Sequence, residues 1–231
     1  MRGHSCFFQD FFSKKKKPVQ TSPVKATYNN TANEHLSVRK GELGEYKIMI
    51  QLSQLSKEYM VLNDILLPNP KAKSGYSQID HIVLSPYGIF VIETKNFQGT
   101  IYGSPAYKKW LINGKFKFMN PFVQNYGHIE CIKTLVGPKF KDAFVSIVSF
   151  TKRCTFKTDL SYRKIQSSEL IIYDVELTET IKRKEAIIKL KNPIPLMSND
   201  EIKECYALIA QANIAEEKIR KLHIDTLKNK A

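Results

Sequence analysis

Apolar and polar positions change their spacing several times along the chain, and each change marks an element. From Glu34 to Leu55, Leu36, Leu43, Tyr46, Ile50 and Leu55 keep one side roughly apolar, which predicts a helix weakened near its start by Gly41 and Gly44. Tyr59–Leu67 reads as a strand closed by the turn signal Pro68–Pro70. Gln78–Leu84 and Gly88–Thr94 are two β-rich runs joined by Ser85-Pro86-Tyr87-Gly88, so they should form a hairpin. The second run is apolar on both faces, as a central strand would be.

Short strands are expected at Thr100–Tyr102, Lys108–Ile112 and Lys115–Phe118, with Asn113-Gly114 a two-residue hairpin turn. Pro121–Val136 reads as a helix capped by Asn120, with proline at its first position. Ala143–Phe150 and Glu169–Tyr173 read as strands and Asp174–Leu190 as a helix. Ser198–Lys228 reads as one long helix, opened by a Ser198/Glu201 capping box. The order predicts an α/β fold with one mixed sheet. The expected layout is a basic flexible tail and linker over residues 1–33, a main domain over 34–197 and a C-terminal helix over 198–231.

Composition narrows the classes. The 231 residues carry 36 Lys plus Arg against 22 Asp plus Glu, a formal charge of +14. Hydrophobic residues make up 42%, enough for a globular core and too many for a wholly disordered chain. No apolar run approaches the ~18 residues that would span a bilayer, so no integral membrane segment is expected. Met1–Pro23 is net +4 and Ser198–Ala231 is neutral, which leaves most of the excess in the middle. A basic domain points to a polyanionic partner, nucleic acid or an anionic membrane surface. Cys6, Cys131, Cys154 and Cys205 make no CxxC pair, which fits reduced thiols in a cytoplasmic protein. Phe7, Phe8, Phe11 and Phe12 precede Lys14–Lys17, the reverse of a secretory signal. That tail is either solvated or a weak contact for anionic lipid or nucleic acid.

The chemistry concentrates in Gln78-Ile79-Asp80-His81 and Ile92-Glu93-Thr94-Lys95. Alternate residues of a strand share a face, so Glu93 and Lys95 project together, and a paired hairpin brings Asp80 near Glu93. Carboxylates with a lysine suit a hard divalent cation acting on a phosphodiester. A surface salt bridge is the plainer account of Glu93 and Lys95 taken alone.

Gly41-Glu42-xx-Glu45, Gln78-Ile79-Asp80-His81, Gly88 through Asn96, Gly99, Trp110 and Asn120-Pro121-xx-Gln124-Asn125 together resemble the nuclease-related domain (NERD) family. The likeness spans about Gly41–Val136. It implies a restriction-endonuclease-like mixed central sheet flanked by helices, similar to the PD-(D/E)xK nucleases, and a bacterial, metal-dependent nuclease using Mg²⁺ or Mn²⁺. Carried onto this chain, it makes Asp80 and Glu93 metal ligands with the Thr94 carbonyl. Glu45, or else Glu42, would be the acid from the first helix, Lys95 the catalytic lysine and Gln124 the glutamine of the following helix. His128 stands where related nucleases often carry a tyrosine. The resemblance favours DNA over RNA as substrate.

Other candidates come from the residues themselves. Gln78 shares Asp80's face and either lines the site or is an ordinary strand polar group. His81 points the other way and reads as a structural histidine hydrogen-bonded in the fold rather than as a general base. Lys108, Lys109, Lys115 and Lys117 around Trp110 and Phe116 form either a nucleic-acid groove or a solvated sheet face. Ile202, Cys205, Tyr206, Ile209, Ile214 and Ile219 give the C-terminal helix an apolar side, which packs on its own domain or on a second copy as a homodimer. His4, His35 and His223 lack partners at metal-binding spacing. A non-cleaving nucleic-acid-binding or protein-interaction module on the same fold is the alternative to an enzyme.

Overall fold

The structure, a computed structural model, describes residue 44 and residues 46–228. The first described element is helix α1, residues 46–53. Nine strands follow: β1 (Met60–Pro68), β2 (Tyr76–Ser85), β3 (Gly88–Lys95), β4 (Gly99–Gly103), β5 (Lys109–Ile112), β6 (Phe116–Met119), β7 (Phe144–Phe150), β8 (Cys154–Thr158) and β9 (Glu169–Tyr173). The remaining helices are α2 (Pro121–Val136), α3 (Leu177–Lys191), α4 (Asn199–Ala212) and α5 (Glu217–Lys228). The tail and linker expected over residues 1–33 lie outside the described residues, as do Glu42 and Glu45.

The strands form two sheets where one was expected. The larger has the order β1-β2-β3-β7-β9, the smaller β6-β5-β4-β8. In the larger sheet β1, β2 and β3 are antiparallel, while β7 and β9 run parallel to β3. Strand β3 is central and Gly88–Glu93 are buried, as a run apolar on both faces requires. Ile129 and Ile132 of α2 and Ile202, Cys205 and Ile209 of α4 share one core with Ile82, Leu84, Ile89 and Val91. Ile48 and Leu52 of α1 and Leu177 and Ile181 of α3 share another with Val83, Phe90 and Ile92. This mixed α/β arrangement is compatible with a restriction-endonuclease-like fold.

The smaller sheet packs its inner side chains, Ile101, Trp110 and Cys154, against Phe122, Val148, Phe150 and Tyr162. Its β5–β6 hairpin turns on Asn113 (φ 53°) and Gly114 (φ 69°), the paired left-handed residues that match strand twist. Strand β8 was not expected from the sequence. It pairs in parallel with β4, and Cys154 and Phe156 face inward.

Two helix starts follow their local chemistry. Asn120 Oδ1 accepts from Phe122 N–H at 3.0 Å, and Ser198 and Glu201 exchange both capping bonds. The long C-terminal helix is instead two, α4 and α5, broken over residues 213–216. The break docks on β1: Asn213 Oδ1 accepts from Leu66 N–H at 2.9 Å and Ile214 N–H donates to Leu66 O at 2.9 Å. Ile202, Cys205 and Ile209 are buried in the chain's own core.

Candidate active site

The acid and the lysine lie where β3 leaves the core. Burial changes there from complete at Ile92 and Glu93 to partial at Thr94 and Lys95. The β2–β3 register pairs His81 with Ile92, so one further step sets Asp80 opposite Glu93. Thr94 N–H donates to Asp80 Oδ2 at 2.7 Å. A strand residue's N–H and C=O point to the same edge, so the Thr94 carbonyl also faces the Asp80 side.

Glu93 is 3% exposed and almost fully bonded on one oxygen. Its Oε1 accepts from Lys95 Nζ at 2.5 Å and from Gln124 Nε2 at 2.7 Å. Gln124 Oε1 in turn accepts from Lys95 Nζ at 3.0 Å, which closes a three-membered ring of side chains. His128, one helical turn after Gln124, brings Nε2 to 3.3 Å from Glu93 Oε2, without hydrogen-bond geometry. Burial pushes the Glu93 carboxyl up, but Lys95 and His128 outweigh it and hold the group below the usual carboxylate range.

Helix α2 is fixed against β3 by Asn125, whose Nδ2 donates to Val91 O and Ser146 Oγ, both at 2.8 Å. This bond sets which face of α2 meets the strand, and it aims Gln124 and His128 at Glu93. Sequence reasoning assigned His128 no role. The signal was its spacing of four from Gln124, which places both on one helix face.

The remaining candidates scatter. Gln78 Nε2 donates to Asp64 Oδ1 at 2.8 Å. Asp64 has φ 51°, and the inward spacing changes from two to three residues on both strands there, Leu62 to Ile65 and Ile79 to Ile82. His81 is buried with Nδ1 2.8 Å from Asn63 Oδ1, and burial pushes its pKa down to about 4. His223 is buried on α5 beside Ser74 Oγ at 2.8 Å, and its pKa is lowered chiefly by burial. His4, His35 and the aromatic and lysine residues of the first seventeen positions lie outside the described residues. Cys131, Cys154 and Cys205 are buried free thiols. Lys108, Lys109, Lys115 and Lys117 are exposed, but Trp110 is 1% exposed and faces inward. Trp110 belongs to the core beneath those lysines and offers no ring between them, whereas Phe116 is 67% exposed.

Whether these residues fit a divalent cation turns on Glu93 Oε2, which is buried and makes no hydrogen bond among the described residues. Spare acceptor capacity on a buried carboxylate, with Asp80 across the ladder and the Thr94 carbonyl on the Asp80 side of β3, suits an ion that takes two carboxylates and keeps waters. No cluster of three or more His, Cys, Asp or Glu side chains gathers among the described residues. The further acid expected from Glu45 or Glu42 lies outside them. No helix among the described residues is long and apolar enough to cross a membrane.

The nuclease-related domain family model matches residues 40–151. An uncharacterized protein of Bacillus anthracis, pXO1-01, is 32% identical over 206 residues, covering 87% of this chain and 90% of its own length. A crystal structure of a protein of unknown function, AF1548, overlaps 81% of this chain and 97% of its own, at 10% identity and a TM-score of 0.32.

Proposed function

Because the chain belongs to the nuclease-related domain family, we propose that it is a metal-dependent nuclease hydrolysing phosphodiester bonds in nucleic acid, DNA in preference to RNA. The observation that carries this reading is Glu93: one oxygen is locked by Lys95 and Gln124, and the other is buried with no hydrogen bond among the described residues, only His128 Nε2 at 3.3 Å. Asp80, Glu93 and the Thr94 carbonyl would hold Mg²⁺ or Mn²⁺, with Glu45 or Glu42 as a further acid. Such an ion polarises a phosphodiester and lowers the pKa of a bound water.

The chain's own groups do the rest. Lys95 has two of its three ammonium protons committed to Glu93 and Gln124 among the described residues, which fixes its direction. The remaining donor is available to a water or to a phosphate oxygen that gains charge. Gln124 holds both charged groups in register and adds no charge of its own. His128 Nε2 lies 3.3 Å from the other Glu93 oxygen.

The test is cleavage of linear, circular and single-stranded DNA and of RNA, with Mg²⁺, Mn²⁺ or EDTA. Wild type should cut only with metal. Glu93→Gln, which keeps the buried shape, should lose cutting by at least about a hundredfold, as loss of a principal charge interaction does. A Glu93→Gln variant that cuts at the wild-type rate would overturn the assignment. Salt-sensitive binding with no cleavage under any condition would replace it with a non-cleaving binding module.

A further inference from the structure

The smaller sheet has a solvent face that the catalytic residues do not use. Its strands alternate, so Ile101, Trp110, Cys154 and Phe156 face inward, and the intervening residues face out. The registers place four of these in one cross-strand row. Lys117 of β6 lies opposite Leu111 of β5, Leu111 opposite Tyr102 of β4, and Tyr102 opposite Lys157 of β8. Lys157 Nζ sits 5.5 Å from the centroid of the Tyr102 ring. Lys109, in the adjoining row, pairs with Met119. All three lysines are exposed.

Charge separates this face from the rest of the chain. No Asp or Glu occurs between Glu93 and Glu130, or between Asp142 and Asp159. Those two stretches contain all four strands of the smaller sheet. Lys108, Lys115, Lys152 and Arg153 add to the positive field from the flanking segments. The sheet also begins close to the candidate site, since β4 starts four residues after Lys95.

We infer that the outer face of the smaller sheet, through Lys109, Lys117, Lys157 and Tyr102, is a docking platform for a single-stranded segment of nucleic acid. The inference rests on the reading of the chain as a nucleic-acid hydrolase and names where its substrate is held. The lysines meet phosphates without regard to sequence, while Tyr102 and Leu111 offer an apolar strip on which a base can lie. An open, pleated face with an aromatic at its centre suits bases that are already unstacked. A duplex would present only its phosphates to it.

The test measures binding of labelled single-stranded and duplex DNA to the full chain in EDTA, over a series of salt concentrations. Lys109→Gln/Lys117→Gln/Lys157→Gln should weaken single-strand binding by at least about tenfold and flatten the log–log salt slope by about 2, near 0.7 per lost phosphate contact. Tyr102→Ala should weaken it about tenfold with the slope unchanged. Lys182→Gln/Lys189→Gln/Lys191→Gln on α3 removes equal charge elsewhere and should change affinity by less than about twofold. Equal losses from the two triple variants, wild-type binding by the first, or a loss confined to duplex would each overturn the inference. Face-dependent binding in a chain that never cleaves would uphold it while refuting the hydrolase. Normal cleavage and binding by the first triple variant would refute it alone.

Discussion

Gln124 is neutral and only half-buried, yet it touches both Glu93 and Lys95 of the candidate site. Replacing it by leucine leaves Lys95 Nζ and Glu93 Oε1 each one bond short. Positioning residues of this kind are worth about ten- to a hundredfold in metal affinity or activity. Gln124→Leu should therefore lower Mn²⁺ affinity, by calorimetry, and cleavage rate together while the circular dichroism spectrum stays unchanged. An unaltered affinity and rate would remove Gln124 from the site. His81 makes a different prediction. Its folded pKa of about 4 lies below the ordinary histidine value, so between about pH 6.5 and 4 the unfolded chain takes up a proton that the folded one refuses. The stabilisation is complete above about pH 6.5 and is lost as pH falls towards 4, amounting to roughly 3 kcal/mol. Urea unfolding at a series of pH values should show this loss, and His81→Gln should flatten it. Equal slopes in the two proteins would exclude His81 as the cause.

Elements written in local chemistry were legible in the sequence. Asn120-Pro121 opens α2 where expected, Asn113-Gly114 turns the β5–β6 hairpin, and the doubly apolar run of β3 is central. Elements decided by distant partners were not. The break between α4 and α5 contains neither proline nor glycine, and it exists because residues 213 and 214 bond to Leu66 of β1. Strand β8 has a short alternating pattern whose partner, β4, lies more than fifty residues earlier. The smaller sheet is closely packed at β4: a Cβ built on Gly103 would lie 2.1 Å from the Trp110 ring. Gly103→Ala should cost about 1–3 kcal/mol, as overpacking does, and shift Trp110 fluorescence. A variant of unchanged stability and emission would show that the indole can move aside.

At the scale of the whole molecule, the +14 charge was visible in the sequence, but that Lys109, Lys117 and Lys157 share one sheet face needed the strand order. The same holds for the candidate site. Asp80, Glu93 and Lys95 were readable from alternation along two neighbouring strands, whereas His128 needed the packing of α2 to show what it faces. Two strands leave the larger sheet side by side and enter the smaller one side by side: β3 leads to β4, β7 to β8, and both pairs are parallel. The crossings stay bonded to each other, since Thr151 N–H donates to Lys95 O and Gly99 N–H to Arg153 O. Residues 96–98 and 151–153 therefore behave like two rails of one track. A residue inserted in one rail shifts every later pairing on that side and leaves the other behind. In descent, the lengths of these two linkers should change together or stay fixed together. Aligned relatives in which one linker gains a residue while the other keeps its length would contradict this.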